Sequence, residues 1–250
     1  MIKFPKYFLY FFLAALILCP YFPIYAKNIK LPILLYHYLE PDNTKDALRA
    51  GMTVTPEQFD KQLKFINDSG YKTITMSETA AKLNGFSSKE KYMALTFDDG
   101  YRDFYDYAFP ILKKYQMKAT VYVIYDAINA PDYLSEDMIK EMTSSGLIEI
   151  GSHALDHKKL TSLNIIEAKR QIFLSKELFA KRFKIPVTTF AYPYGSFNKT
   201  IADFVKKAGY TAAISIIPGE IQSEANLFYL SRMRPNNNLA SFKRLLIKTK

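Results

Sequence analysis

The chain has 250 residues, 49% of them hydrophobic, and 34 Lys and Arg against 24 Asp and Glu give a formal net charge of +10. A single cysteine excludes a disulfide framework, so stability must come from packing, for which the apolar fraction is ample. The basic excess suits anionic polymers or surfaces, but no clustering of lysines favours a nucleic-acid partner, and none is expected.

Residues 1–26 have the pattern of an export signal. Lys3 and Lys6 form a basic start, Tyr7 to Cys19 is an uninterrupted apolar run, Pro20 and Pro23 break it, and Ala26 offers a small residue for cleavage before Lys27. The run is shorter than the ~20 residues a bilayer span needs. Cleavage is therefore expected, with retention as an N-terminal anchor as the alternative, because Phe8 to Ala26 carries no charge. The protein is expected to be exported: secreted, periplasmic or associated with the cell surface. Residues 27–250 then form one domain with a core of useful size.

Strands and helices alternate along that domain. Pro32 to His37 is a buried strand, and Thr55-Pro-Glu-Gln58 is a capping box with proline at the first helical position, opening a helix that Gly70 closes. Lys72 to Met76 is the next strand, and Ser77 caps a helix ending near Gly85. Tyr92 to Phe97 is a continuous apolar strand that delivers Asp98 and Asp99 at its C-terminal end. A helix over 108–115 has Pro110 in its opening turn, and Ala119 to Ile124 is a strand. A helix from Ser135 stops at Gly146, and Ile148 to Ile150 leads into Gly151-Ser152-His153. A long helix Ile165 to Phe183 precedes the strand Thr188 to Tyr192; Ile201 to Lys207 precedes Thr211 to Ile216; a short strand spans Phe228 to Met233, and a last helix starts at Leu239.

Repeated strand–helix units of this length predict an α/β fold with a parallel sheet. His37, Asp98, Asp99, His153 and Tyr194 all fall at C-terminal strand ends. In a (β/α) barrel those ends converge on one rim, whereas an open doubly wound sheet would spread them along a row.

Two adjacent carboxylates and the pair His153 and His157 form a complete hydrolytic metal set. Two imidazoles and one carboxylate, with a position left for water, make a catalytic zinc site, and the second Asp remains free as a base. Only three histidines occur in the chain, and two of them stand at this spacing. The bland alternatives are a turn at Asp98-Asp99-Gly100 and two histidines on one face of an exposed helix.

Thr96-Phe97-Asp98-Asp99, then His153-Ala-Leu-Asp-His157, then Ala191-Tyr192-Pro193-Tyr194-Gly195 resemble the three motifs of the NodB-type polysaccharide deacetylases, carbohydrate esterase family four. The resemblance runs from about Leu31 to the C-terminus. Leu34-Leu35-Tyr36-His37 and Phe190 to Gly195 look closest to the branch acting on poly-β-1,6-N-acetylglucosamine. It implies a distorted barrel of seven or eight mostly parallel strands in a single domain. It also implies Asp99, His153 and His157 as ligands of one divalent metal, zinc being expected, and Asp98 as the base. Pro193 and Tyr194 would wall the substrate groove, because aromatic faces stack on pyranose rings.

Two positions depart from the family pattern. Ala191 stands where an arginine usually orients the catalytic Asp, and Leu230-Ser231-Arg232 has Arg where a histidine acid is expected. Arg232 cannot be an acid near neutral pH; it is expected either along the substrate groove or paired with Asp98 in place of the missing arginine. His37 is the histidine left over and is the candidate acid. The implied activity is metal-dependent removal of N-acetyl groups from an extracellular N-acetylglucosamine polysaccharide. The alternatives are peptidoglycan or chitin-oligomer deacetylation, or a surface glycan-binding module with an impaired site.

Overall fold

A computed structural model describes residues 28–41, 47–83 and 90–247. The expected export segment 1–26 and the expected helix end at Gly85 lie outside the described residues. In chain order the elements are β1 (Ile29–Lys30), β2 (Ile33–Tyr36), α1 (Ala47–Ala50), α2 (Pro56–Asp68), β3 (Tyr71–Ile74), α3 (Met76–Lys82), β4 (Lys91–Phe97), α4 (Phe109–Tyr115), β5 (Ala119–Val123), α5 (Glu136–Ser144), β6 (Ile148–Ser152), α6 (Ile165–Phe183), β7 (Thr189–Ala191), α7 (Lys199–Lys207), β8 (Ala212–Pro218), β9 (Ile221–Gln222), β10 (Leu230–Arg232) and α8 (Leu239–Ile247).

The parallel strands run in the order β10-β8-β7-β6-β5-β4-β2. Leu34 of β2 then bridges to Met233 just after β10, with the Leu35 N–H donating to Met233 O at 2.9 Å and the Met233 N–H to Ile33 O at 2.8 Å. First and last strands therefore meet, and the sheet is a nearly closed barrel, as expected. Its distortion lies at β4: the N-terminal half pairs with β3 on one edge and the C-terminal half with β2 on the other, so that Ala94 partners both Ile74 and Ile33. Sequence reading missed the antiparallel pair β1 and β9, two residues each, too short to leave a pattern. Among the described residues no helix is long and apolar enough to cross a membrane.

Alternation along the strands sorts side chains into two cores. On β4, Met93, Leu95 and Phe97 face the helical layer, joined there by Phe59, Phe104, Phe179, Phe190 and Phe242, while Ala94 faces the barrel interior with Ile33, Tyr122, Ala191, Ile214 and Leu230. Each of these buried large side chains contributes about 1.5–3 kcal/mol. Gly151 is dictated by that interior, since a Cβ there would stand 2.4 Å from the Tyr122 ring.

Helix starts mostly follow local sequence. The Thr55, Ser135, Asn164 and Asn198 side chains each accept a first-turn backbone N–H. At Thr55 only half of the expected box forms: Gln58 N–H donates to Thr55 Oγ1, and Gln58 Oε1 has no partner among the described residues. Two starts differ from expectation. The cap of α3 is Thr75, in a reciprocal box with Glu78, so Ser77 sits inside the first turn and its hydroxyl and N–H both go to Glu149. Ahead of α4, Phe104–Ala108 forms a wide π-helical turn. Pro110 has no N–H to offer and its ring crowds the carbonyl four residues back, which opens the turn before it.

Candidate active site

Because β2, β4, β6, β7 and β10 are parallel, the residues just past their C-terminal ends share one rim. Asp98 and Asp99 follow β4, His153 follows β6, His37 follows β2, Pro193 and Tyr194 follow β7, and Arg232 ends β10.

Asp98 and Asp99 reach the same site through backbone geometry. Asp99 and Gly100 both take left-handed φ, 74° and 75°, so the chain turns sharply where a straight strand would send the two carboxylates to opposite faces. His153 and His157 also converge through a turn, not a helix: Ala154 and His157 have φ of 64° and 61°. Helix α6 holds that turn from behind, with Gln171 Oε1 accepting the Leu155 N–H at 3.1 Å and the Asp156 N–H at 3.3 Å. Ser152 Oγ donates to Ser175 Oγ at 3.0 Å, tying β6 to the same helix. Sequence reasoning missed these supports. Their signal was present: Gln171 and Ser175 are polar residues set in the stripe of Ala168, Ile172 and Phe179 that α6 buries.

The turns bring Asp99, His153 and His157 together. His153 Nε2 lies 3.3 Å and His157 Nε2 3.2 Å from Asp99 Oδ1. His153 Nδ1 is 2.8 Å from Ala191 O, which can only accept, so Nδ1 carries a proton and the neutral ring presents its Nε2 lone pair to Asp99. Asp99 Oδ1 is buried with no hydrogen bond among the described residues. Two imidazole nitrogens converging on a buried carboxylate oxygen form a donor set that a cation would complete. Ligand separations of 3.2–3.3 Å match the edge of a tetrahedron whose bonds are about 2.0–2.1 Å, as for zinc. Among the described residues this is the group of His, Cys, Asp and Glu that could hold a metal ion, so the residues present fit a divalent metal.

Beside this triad, Arg232 lies against Asp98. Its Nη1 donates to Asp98 Oδ1 at 2.8 Å and its Nη2 to Oδ2 at 2.7 Å, a two-pronged pair in which both side chains are buried. Nη1 also reaches Thr96 Oγ1 at 3.2 Å, and Nε donates to Ser215 O at 2.7 Å. Of the two expected places for Arg232, the structure gives the pairing; the expected groove contact is corrected, because the side chain is buried and four of its five N–H groups go to protein acceptors. Burial pushes the Asp98 carboxyl up, but Arg232 outweighs it and holds Asp98 below the ordinary carboxylate value.

His37 is half-buried on the rim. Burial lowers its pKa below the ordinary imidazole value, against the opposing pull of Asp98 and Asp99. It is therefore neutral near pH 7. Tyr194 is 62% exposed, with its ring 4.4 Å from that of His157, while Pro193, expected on the same wall, is buried beneath it. The left-handed φ of Tyr194, 57°, turns its ring outward. Gly195 follows with φ 63°, and a Cβ there would meet Ile216 at 2.3 Å.

This architecture and site have known counterparts. A family model described as polysaccharide deacetylase matches residues 86–213. YxkH of Bacillus subtilis (strain 168), named as a polysaccharide deacetylase, is 35% identical over 209 residues, covering 83% of this chain and 72% of that protein. The poly-beta-1,6-N-acetyl-D-glucosamine N-deacetylase of Staphylococcus aureus (strain MRSA252) is 28% identical over 194 residues, 72% of this chain and 67% of its own. The solved structure of the Streptococcus pyogenes deacetylase PplD in complex with acetate has a TM-score of 0.82 at 32% identity, covering 90% of this chain and 100% of that one. With the family model matching half the chain and these relatives most of it, the chain belongs to the polysaccharide deacetylase family of enzymes.

Proposed function

We propose that this protein is an exported, metal-dependent hydrolase that removes N-acetyl groups from a poly-N-acetylglucosamine-like exopolysaccharide. The observation behind this reading is the buried Asp99 Oδ1 facing two imidazole nitrogens, one residue from an Asp98 fixed by Arg232. Its substrate class is supported by the Staphylococcus aureus relative, named for poly-β-1,6-N-acetylglucosamine. Acetate, the product such a reaction releases, is the molecule bound in the Streptococcus pyogenes neighbour.

Asp99, His153 and His157 would hold the metal, whose Lewis acidity makes a nearby water acidic and polarises a carbonyl. Asp98 takes a proton from the attacking water, and Arg232 fixes its carboxylate in place for that transfer. A backbone N–H in the turn after Asp99 would stabilise the oxyanion of the tetrahedral intermediate. Collapse breaks the C–N bond, acetate leaves, and the sugar nitrogen takes up a proton. His37 starts neutral, so as the acid it must first receive the proton Asp98 took. The exposed Tyr194 ring offers a stacking face for a pyranose.

Export rests on residues 1–26, with Lys3 and Lys6 ahead of an apolar run and Ala26 before Lys27. The cationic chain would also be held near anionic cell-surface polymers. Acetate release from β-1,6-linked and β-1,4-linked N-acetylglucosamine oligomers, with and without chelator, tests the function. Release from the β-1,6 series that chelator abolishes is the expected outcome. Preference for β-1,4 oligomers would move the substrate to chitin or peptidoglycan, and chelator-resistant release would refute the metal role.

A further inference from the structure

The turn that presents Asp99 is held by a stack of side chains that the chemistry above does not use. Asp99 and Gly100 are both left-handed, a strained choice for a residue with a Cβ. Two backbone bonds restrain the turn: the Leu134 N–H donates to Gly100 O at 3.0 Å and the Arg102 N–H to Asp132 O at 2.9 Å. The side chain that follows is clamped as well. The Tyr101 ring stacks on Tyr38 at 4.4 Å and 28° and on Tyr133 at 5.0 Å and 30°. Tyr38 and Tyr101 share a hydroxyl–hydroxyl bond of 2.7 Å, and the Arg49 guanidinium lies 4.1 Å from the centre of the Tyr38 ring. These layers come from segments far apart in sequence: the loop after β2, helix α1, the turn after β4 and the loop before α5.

We infer that Tyr38 and Tyr133 are positioning residues for the metal centre, clamping Tyr101 so that the Asp99–Gly100 turn stays left-handed and Asp99 Oδ1 stays aimed at the two imidazoles. The inference rests on the reading of Asp99, His153 and His157 as a metal site. Tyr101 is two residues from Asp99, so freedom of its ring and backbone is freedom of the carboxylate. If Asp99 relaxed to the ordinary right-handed region, its side chain would swing away from nitrogens that stand 3.2 and 3.3 Å from it. Groups that orient a ligand from behind are usually hydrogen-bond partners; here the same task falls to ring stacking, acting through the backbone.

Zinc affinity of the full-length protein, measured by competition with a chromogenic chelator, tests this. Tyr133→Leu and Tyr38→Leu are each expected to weaken zinc binding about ten-fold, while Tyr133→Phe, which keeps the ring, stays within about two-fold of wild type. Tyr71→Leu, at the opposite end of the barrel where β3 begins, should lower the melting temperature without moving the zinc dissociation constant. Tyr133 is half-buried at the outer end of the stack, so its variants decide the question even if Tyr38→Leu does not fold. Wild-type zinc affinity in Tyr133→Leu, or equal weakening in Tyr71→Leu, overturns the inference and leaves the metal site standing. A wild-type protein that takes up no zinc overturns both.

Discussion

Two carboxylates stand at opposite ends of the barrel, and the fold treats them in opposite ways. Near the floor, Glu149 of β6 is fully supplied with donors: the Ser77 N–H at 3.0 Å and the Ser77 hydroxyl on one oxygen, and Thr189 Oγ1 at 2.9 Å on the other. The first turn of α3 closes that end, and its Met76 N–H is taken by Thr120 Oγ1 at 2.9 Å. At the rim, Asp99 Oδ1 is buried with no hydrogen bond among the described residues and faces two imidazole nitrogens instead. A buried acceptor without a donor costs about 1–3 kcal/mol. The floor shows that this chain can satisfy a carboxylate when stability is all that is at stake. The rim is left unsatisfied because a cation is meant to complete it.

Breaking the rim should give the largest effect. Asp99→Ala or His153→Ala is expected to remove both metal content and acetate release, measured by elemental analysis and by product assay. Full metal occupancy in either variant would mean the ligands are wrongly assigned. Asp98→Asn should separate binding from chemistry, keeping the metal while turnover falls by about 10²–10⁴. Loss of the metal would instead mean that the two aspartates have exchanged roles. Breaking a buried ion pair costs about 3–5 kcal/mol, so the melting temperature is measured alongside. The pH dependence follows from Arg232 holding Asp98 below its ordinary value in the folded protein. A depressed carboxyl contributes stability above its unfolded pKa of about 3.9 and loses it as pH falls through the folded pKa. The wild-type protein should therefore show an acid-side loss of stability below about pH 4 that is smaller in Asp98→Asn.

His37→Ala comes next, with turnover lowered about ten-fold or more, metal retained and one limb of the pH–rate profile flattened. An unchanged profile would leave His37 structural and return the proton-donating step to Asp98. The smallest effect is expected at the floor. Glu149→Gln turns one acceptor into a donor facing other donors and should lower stability by about 1–3 kcal/mol, with metal content and turnover at wild-type level. A drop in metal affinity there would show that the two ends are coupled, and the contrast between them would fail.

Much of this was legible in the chain. The alternation of strands and helices, the continuous apolar run before Asp98 and the bounds of α6 follow from local rules of periodicity and capping. The pairing of Arg232 with Asp98 could be anticipated because an arginine was missing at Ala191 and another stood free of its family's pattern at 232. The α3 cap was misread because Thr75 and Ser77 are both good caps, and what separates them is Glu149, 72 residues away, drawing Ser77 to itself. Pro193 looked like a groove wall because it neighbours Tyr194, but the left-handed turn at Tyr194 sends the two side chains in different directions.

The sequence alone determined which residues could bind a metal, which strands deliver them and that those strands are parallel, because residue chemistry and hydrophobic period are local properties. Tertiary structure decided the rest. Histidines four apart suggest a helical face, yet they meet through a turn whose shape is set by Gln171 of α6. Two adjacent aspartates have the same chemistry, yet one faces Arg232 and the other two imidazoles. That division depends on barrel closure, which brings β10 against the far end of the sheet, and on side chains more than a hundred residues apart. Neither leaves a trace in local sequence, because a contact across a closed barrel is set by the sum of all its strand pairings and by no single segment.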